Sequence, residues 1–471
     1  MANLTAVIAF FGWPIVAFAL FRTRRVQEAI LWTIVAGFLL LPAKIGIDLP
    51  GLPPLDKFSI PILSVFALVL FSGNRAQFRV LSPGRIGKIL MAILLISPVL
   101  TVLTNGDPIV AGNARVLAAS RPYDAIADVG KSLIWMIPFM LGWSFFKTVD
   151  DQRQIVRILL FAGLAYSVLM LFEVRFSPQL HRWVYGFFQH NFAQTHRGGG
   201  FRPVVFLKHG LWVAFFAMTV TICAAIMWRS AKEGSKGLYL YAIGYMAIVL
   251  VLCKSLASLA YALLLLPLVL LLSPRHQIFA ALMLALVAIT YPTLRGSGLF
   301  PVDTIVSVAR SIDPERAKSV EFRFRNEDIL LARARERVAF GWGGWGRNRV
   351  YSETTGKDLS TTDGYWVVIY GRYGILGFLG RFGLFFLPIA LVWWTVRSRP
   401  RLEVSPVTSG LCLLASINMI EFLPNSTEPP MTRIIMGALV GWAISIQMRD
   451  RATEQASEAQ LSDTRKRRTV I

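Results

Sequence analysis

Charge is scarce in this sequence, and so are cysteine and metal-binding patterns. Only 16% of the 471 residues are charged, against about 25% in globular chains, which excludes a soluble domain with a full polar surface. Acidic residues are scarcest, 27 against 49 Lys and Arg, for a formal charge of +22. The three cysteines, Cys223, Cys253 and Cys412, lie in apolar runs, where cysteine behaves as a small hydrophobe. No CxxC, Cys/His cluster or Asp-x-Asp is present, so neither a disulfide framework nor a zinc site is expected, and no cofactor. A signal peptide is not expected either: Arg22, Arg24 and Arg25 follow the first apolar run instead of preceding it, so that run reads as a retained span.

What is present is apolar sequence in long blocks. Hydrophobic residues make up 55% of the chain, in runs near or above the roughly 18 residues that cross a bilayer as a helix. The alternating strands of about 10 residues that would mark a barrel are absent. The fold class predicted is an all-α polytopic integral membrane protein with about 12–14 transmembrane helices. Spans are expected near 4–21, 26–43, 58–72, 86–104, 132–147, 155–173, 204–228, 238–253, 255–272, 277–294, 364–396, 405–423 and 431–448. Residues 1–448 then form one membrane domain, and the polar tail 449–471 reads as disordered.

The positive charge sorts by side. With the N-terminus outside, the inner connections hold Arg22/Arg24/Arg25, Arg75/Arg79/Arg85, Lys147/Arg153, Arg229/Lys232/Lys236, Arg275 and Arg397/Arg399/Arg401. All are short and basic, as the positive-inside rule requires. The C-terminus falls in the cytoplasm, and its RKRR cluster fits topology or contact with anionic membrane lipid. Nucleic acid is not an expected partner.

Three longer connections, about 105–131, 174–203 and 295–363, lie on the other side. In the last, residues 319–339 read as an amphipathic helix with Val320, Phe324, Leu331 and Val338 at helical spacing, closed by a Gly/Trp turn. This loop carries Arg310, Arg316, Arg323, Arg325, Arg333, Arg335, Arg337, Arg347 and Arg349. Guanidinium groups match phosphate oxygens in a bidentate fork. The alternative is pairing along the helix, Arg323 with Glu327 and Arg325 with Asp328. Trp342, Trp345, Tyr351, Tyr365 and Trp366 interleave with the arginines, as rings that stack on sugar faces or as interfacial anchors.

The stretch STTDGYWVVIYGRYGILGFLGRFGLFFLPI resembles the end of the large loop and following span in the O-antigen polymerase/ligase family, which holds Wzy-type polymerases and O-antigen ligases. RFRNEDILLARARERVAFGWGGWG, GFRPVVFLKHGLWVAFF and LCKSLASLAYALLLL resemble the family's Arg-bearing helix, its loop arginine before a span and its Ser-rich turn. The likeness covers roughly 198–396 in order. It implies a metal-independent glycosyltransferase of the bacterial cytoplasmic membrane, acting on a polyprenyl (undecaprenyl) diphosphate-linked oligosaccharide in O-antigen or exopolysaccharide synthesis. Flippase and chain-length regulator proteins are implied as partners.

The same resemblance matches Arg202 to the first functional arginine and Arg323 or Arg325 to the second. Where the ligases carry histidine this chain has Asp363, a departure that favours polymerase over ligase. Asp363 is either the proton acceptor or a helix N-cap. Trp345, Arg347, Tyr365 and Trp366, from the interleaved rings and arginines and not from the resemblance, are the expected substrate contacts. Of the histidines, His181, His190 and His196 read as ordinary loop residues. His209, at a span's edge, is a catalytic candidate, and Glu421 is notable for the same reason. The rivals are an O-antigen ligase and, in another class, a flippase for the lipid-linked sugar.

Overall fold

The computed structural model describes residues 2–48, 52–81, 84–112, 115–197 and 199–468, the side chains of 312, 315, 316, 453, 454 and 456–468 excepted. The side chains of Arg316 and of the RKRR cluster therefore lie outside the described residues. The helices up to the middle of the chain are α1 (Leu4–Thr23), α2 (Val26–Leu40), α3 (Ser59–Phe71), α4 (Arg85–Leu103), α5 (Pro122–Phe145), α6 (Val149–Phe176), α7 (Leu180–Tyr185) and α8 (Gly210–Ser230). Beyond these come α9 (Glu233–Leu252), α10 (Leu256–Leu271), α11 (Pro274–Gly296), α12 (Val302–Ile312), α13 (Pro314–Arg335), α14 (Tyr365–Arg397), α15 (Pro406–Glu421) and α16 (Pro430–Arg468). Among the described residues, antiparallel strand pairs join Gly46–Ile47 with Leu55–Asp56, Ile109–Ala111 with Arg115–Leu117, and His196–Arg197 with Gly200–Phe201.

A helix in every expected span follows from the solvent, since lipid offers no partner to a backbone N–H or C=O. Among the described residues eight helices are long and apolar enough to cross a bilayer, nine counting α1, which bends by 44°. The bend falls where Pro14 lacks its N–H and crowds the preceding turn. Four further expected spans, α2, α3, α10 and α15, are apolar but shorter. The chain is thus an all-α, multi-pass membrane protein.

The bundle closes around α8 and α15, which are buried on nearly every face. Polar side chains inside it are paired: Thr408 donates to Gln152 at 2.6 Å and Ser409 to Gln277 at 2.8 Å. Helices α5 and α16 touch backbone to backbone. A Cβ on Gly437 would lie 2.1 Å from the Phe139 carbonyl, the small-residue contact that membrane helices use.

Three boundaries differ from expectation. Residues 204–209 are not helical; they form a buried, irregular segment before α8. The loop helix runs Pro314–Arg335 and buries Ala317, Glu327, Leu330, Leu331 and Ala334, while Val338 lies beyond its end and is 46% exposed. The tail read as disordered continues α16 as helix to Arg468, as its Ala, Glu, Gln and Arg content allows.

Candidate functional site

Tertiary contacts sort the connections into two ends. At one end Arg229 donates to the Leu270 and Leu272 carbonyls, and Arg275 to those of Val396, Arg399, Pro400 and Leu402. At the other end α13 covers α11 and α14, with Asp328 on Arg295 and Glu327 on Trp366.

The 202–209 segment shows how irregular backbone is kept at that end. Glu173 Oε2 accepts from the Val204 and Val205 N–H groups at 2.8 and 2.7 Å, and Tyr166 Oη accepts from Phe206 N–H. Gln189 donates to the carbonyls of Val205 and Leu207, and Lys57 Nζ to that of Phe206 at 2.9 Å. Buried main-chain groups thereby find partners. Burial with Lys208 nearby pushes the Lys57 ammonium down to about 7. These supporting side chains are invisible to sequence reasoning, because their partners are backbone atoms far along the chain.

The segment fixes Arg202 at one end and His209 at the other. Arg202 is buried, and its Nη2 donates at 2.9 Å to the Lys254 carbonyl in the tight turn before α10. His209 caps α8, with Nδ1 accepting the Leu211 N–H at 2.9 Å, and its ring meets His190 at 4.3 Å. Burial, then His190, Arg202, Arg197 and Arg323, push the imidazole down to about 3. His209 is therefore neutral, with its hydrogen on Nε2. It presents an N–H donor at neutral pH.

Helix α13 brings Arg323 to the same place. Its anchor is Glu327, which accepts from Tyr291 Oη at 2.8 Å and Trp366 Nε1 at 3.4 Å and lies 3.5 Å from Arg295 Nε. Burial raises this carboxyl above its usual range, against the opposite pull of Tyr291, Trp366 and Arg295. Asp328 pairs with Arg295 at 2.8 Å. The pairings of Arg323 with Glu327 and Arg325 with Asp328 are thus replaced by contacts to α11. One turn before Glu327, Arg323 acts on His209, Tyr261 and Glu421. Among the described residues it makes no hydrogen bond or ion pair. Two positions on, Arg325 points to another face and is exposed.

The carboxylate of this cluster is Glu421, buried at the end of α15 beside Tyr261, with Oε1 accepting from Asn425 Nδ2 at 2.9 Å. Asp363 does not cap α14. The first N–H groups there, of Tyr365 and Trp366, go to the Asn425 and Phe422 carbonyls, and Gly364 is the cap residue. The Asp363 carboxylate is half-buried and, among the described residues, unpaired.

The expected substrate contacts fall elsewhere. Arg347 is buried and commits four of its five N–H donors to Trp342 O, Ala118 O, Asp107 O and Asn105 Oδ1, so it fastens the Gly/Trp turn. Trp366 is fully buried against Tyr291. Tyr365 is buried, its hydroxyl accepting from Arg381 at 2.8 Å. Trp345 alone of the four is open, 71% exposed. His181 is structural, accepting from Ala43 N–H and bonded to Phe187 O.

Helix α14 breaks where the Gly/Trp turn docks. Gly374 has φ +65°, and a Cβ there would sit 2.4 Å from the Ala339 carbonyl. The exposed backbone pairs across the break, Ile375 N–H to Val338 O, Trp342 N–H to Gly371 O and Gly343 N–H to Arg372 O. Broken helices persist at membrane depth only where such partners exist.

Among the described residues no three His, Cys, Asp or Glu side chains are grouped to hold a metal ion. No family model matches the chain, and no curated protein sequence does. Fold and site together define the class: a multi-pass helical membrane protein with arginines, tyrosine and a buried carboxylate gathered at one end of the bundle.

Proposed function

We propose that this protein is a polysaccharide polymerase of the bacterial cytoplasmic membrane, with the clustered end outside the cytoplasm and the C-terminus within. The carrying observation is the convergence of Arg202 and Arg323, remote in sequence, on His209, with Arg323 also beside the buried carboxylate of Glu421. The donor is a glycan on a polyprenyl diphosphate and the acceptor is a sugar hydroxyl of the next lipid-linked repeat unit. Glu421 takes the hydroxyl proton, the oxygen bonds to the anomeric carbon, and the bond from that carbon to the diphosphate breaks. The electron pair leaves on the diphosphate, whose charge the two guanidiniums stabilise. Glu421 is preferred to Asp363 as base because it sits in the cluster. The basic connections at the opposite end support the orientation, and a flippase and a chain-length regulator are the partners such a reaction needs.

Gene deletion with analysis of lipid-linked intermediates tests this reading. Single repeat units accumulating on the outer leaflet support it. Single units held on the inner leaflet would indicate a flippase, and polymer left on its lipid carrier a ligase.

A further inference from the structure

Two unassigned clefts lie near this cluster, and they share two walls. The first, about 390 Å³, lies among the starts of α3, α8, α14 and α16 and the middle of α5, with Phe58, Ile62, Ile134, Trp135 and Trp212 making it mainly apolar. The second, about 260 Å³ and mainly polar, lies between α5 and the 344–349 turn, with Asp128, Trp345, Asn348, Arg349 and Arg372 on its walls. Lys131 and Val368 line both. The connection from α15 to α16 borders both: Asn425 bonds to Glu421 in the cluster, while Ser426 and Glu428, with Arg433 of α16, line the first cleft.

The junction is cationic. Lys131 Nζ lies 2.9 Å and Arg372 Nη2 3.8 Å from the same Asp128 oxygen, and the other oxygen accepts from Tyr373 Oη at 3.1 Å. One carboxylate thus faces two cations. Beyond the junction stands Trp345, exposed yet held at φ +55° between Gly343 and Gly346, its indole N–H donating to Asp124 at 3.2 Å. A bulky residue in the left-handed region is an outlier whose position the surroundings must enforce. An aromatic face fixed over a polar cleft suits a sugar ring.

We propose that the two clefts join at Lys131 and bind one amphiphile, with its apolar chain in the first, its phosphate at Lys131 and Arg372, and its saccharide against Trp345 in the second. Naming that amphiphile the lipid-linked acceptor rests on the function proposed above; the order apolar, cationic, polar along the cleft does not. A bare lipid would leave the Trp345 end unused, and a free sugar the apolar end.

The test is native mass spectrometry of the purified chain with citronellyl diphosphate-linked N-acetylglucosamine as probe. Wild type should take two copies. Arg202→Ala with Arg323→Ala should take one, Lys131→Ala with Trp345→Ala also one, and the quadruple variant none. Lys131→Ala alone should weaken the second copy by roughly tenfold to a hundredfold, as loss of a charged hydrogen bond does, while Lys131→Arg retains it. Citronellyl N-acetylglucosaminide, without phosphate, should bind wild type no better than Lys131→Ala. One copy on wild type, or two at unchanged affinity on Lys131→Ala with Trp345→Ala, would overturn the site. No turnover is involved, so two bound copies on a chain whose deletion leaves polymer intact would overturn the polymerase and keep the cleft.

Discussion

At one end of the bundle Arg229 and Arg275 bond to backbone carbonyls, while at the other Arg323 has no bonded partner among the described residues and faces Tyr261, His209 and Glu421. Both ends are built from the same side chain. The first set satisfies the orphan carbonyls of helix ends and clamps short connections together. The second is held in place by other residues: Glu327, Tyr291, Arg295 and Trp366 for Arg323, and the 202–209 segment for Arg202. Arg323, which others position and which has no hydrogen bond or ion pair among the described residues, is available to a ligand.

The largest expected effect sharpens that contrast. Arg202→Lys and Arg323→Lys should each lower polymer synthesis by about a hundredfold or more, because a point charge cannot replace the fork on a leaving diphosphate. Membrane levels should stay normal. Arg275→Lys should do the reverse, lowering the amount of folded protein while leaving the rate per molecule unchanged. Complementation with immunoblotting separates the two outcomes.

Next is the anchor of α13. Glu327→Ala leaves the Tyr291 hydroxyl and Arg295 short of a buried partner, at a cost of about 1–3 kcal/mol. Hydrogen exchange should rise along α13, with α5 and α16 unchanged. Activity should fall in step, since Arg323 rides on that helix.

Acid should weaken the clustered end first. His209 and His181 are depressed from 6.5 to about 3 and about 4, so the unfolded state binds more protons. Stability is complete above about pH 6.5 and is lost as pH falls through the folded values. Exchange protection in 202–211 should drop between pH 6.5 and 4, while the basic end holds. The smallest effect is expected for Arg325→Lys, an exposed change within about 0.5 kcal/mol and with normal chain length.

The spans were legible because the requirement that fixes them, a continuous apolar run, is local. The start of α8 was not: 204–209 is apolar enough to read as helix, but its hydrogen bonds go to Glu173, Tyr166, Gln189 and Lys57. Arg202 and Arg323 were within reach of sequence patterns. The choice of Arg323 over Arg325 needed the packing of α13 on α11. Arg347 and Trp366 looked like ligand contacts because Arg and Trp in a loop carry no mark of whether their partners are internal. Asp363 drew attention through its place before a span, whereas Glu421, the more buried acid, showed only as an ionisable group at a span's end.

The most direct test of the account is Glu421→Gln, which keeps the shape and the Asn425 side of the site but cannot take a proton. Measured by chain length at matched membrane levels, beside Asp363→Asn, it should abolish polymer and accumulate single lipid-linked units, with Asp363→Asn still making chains. Full-length polymer from Glu421→Gln would contradict the assignment of the reaction to this cluster.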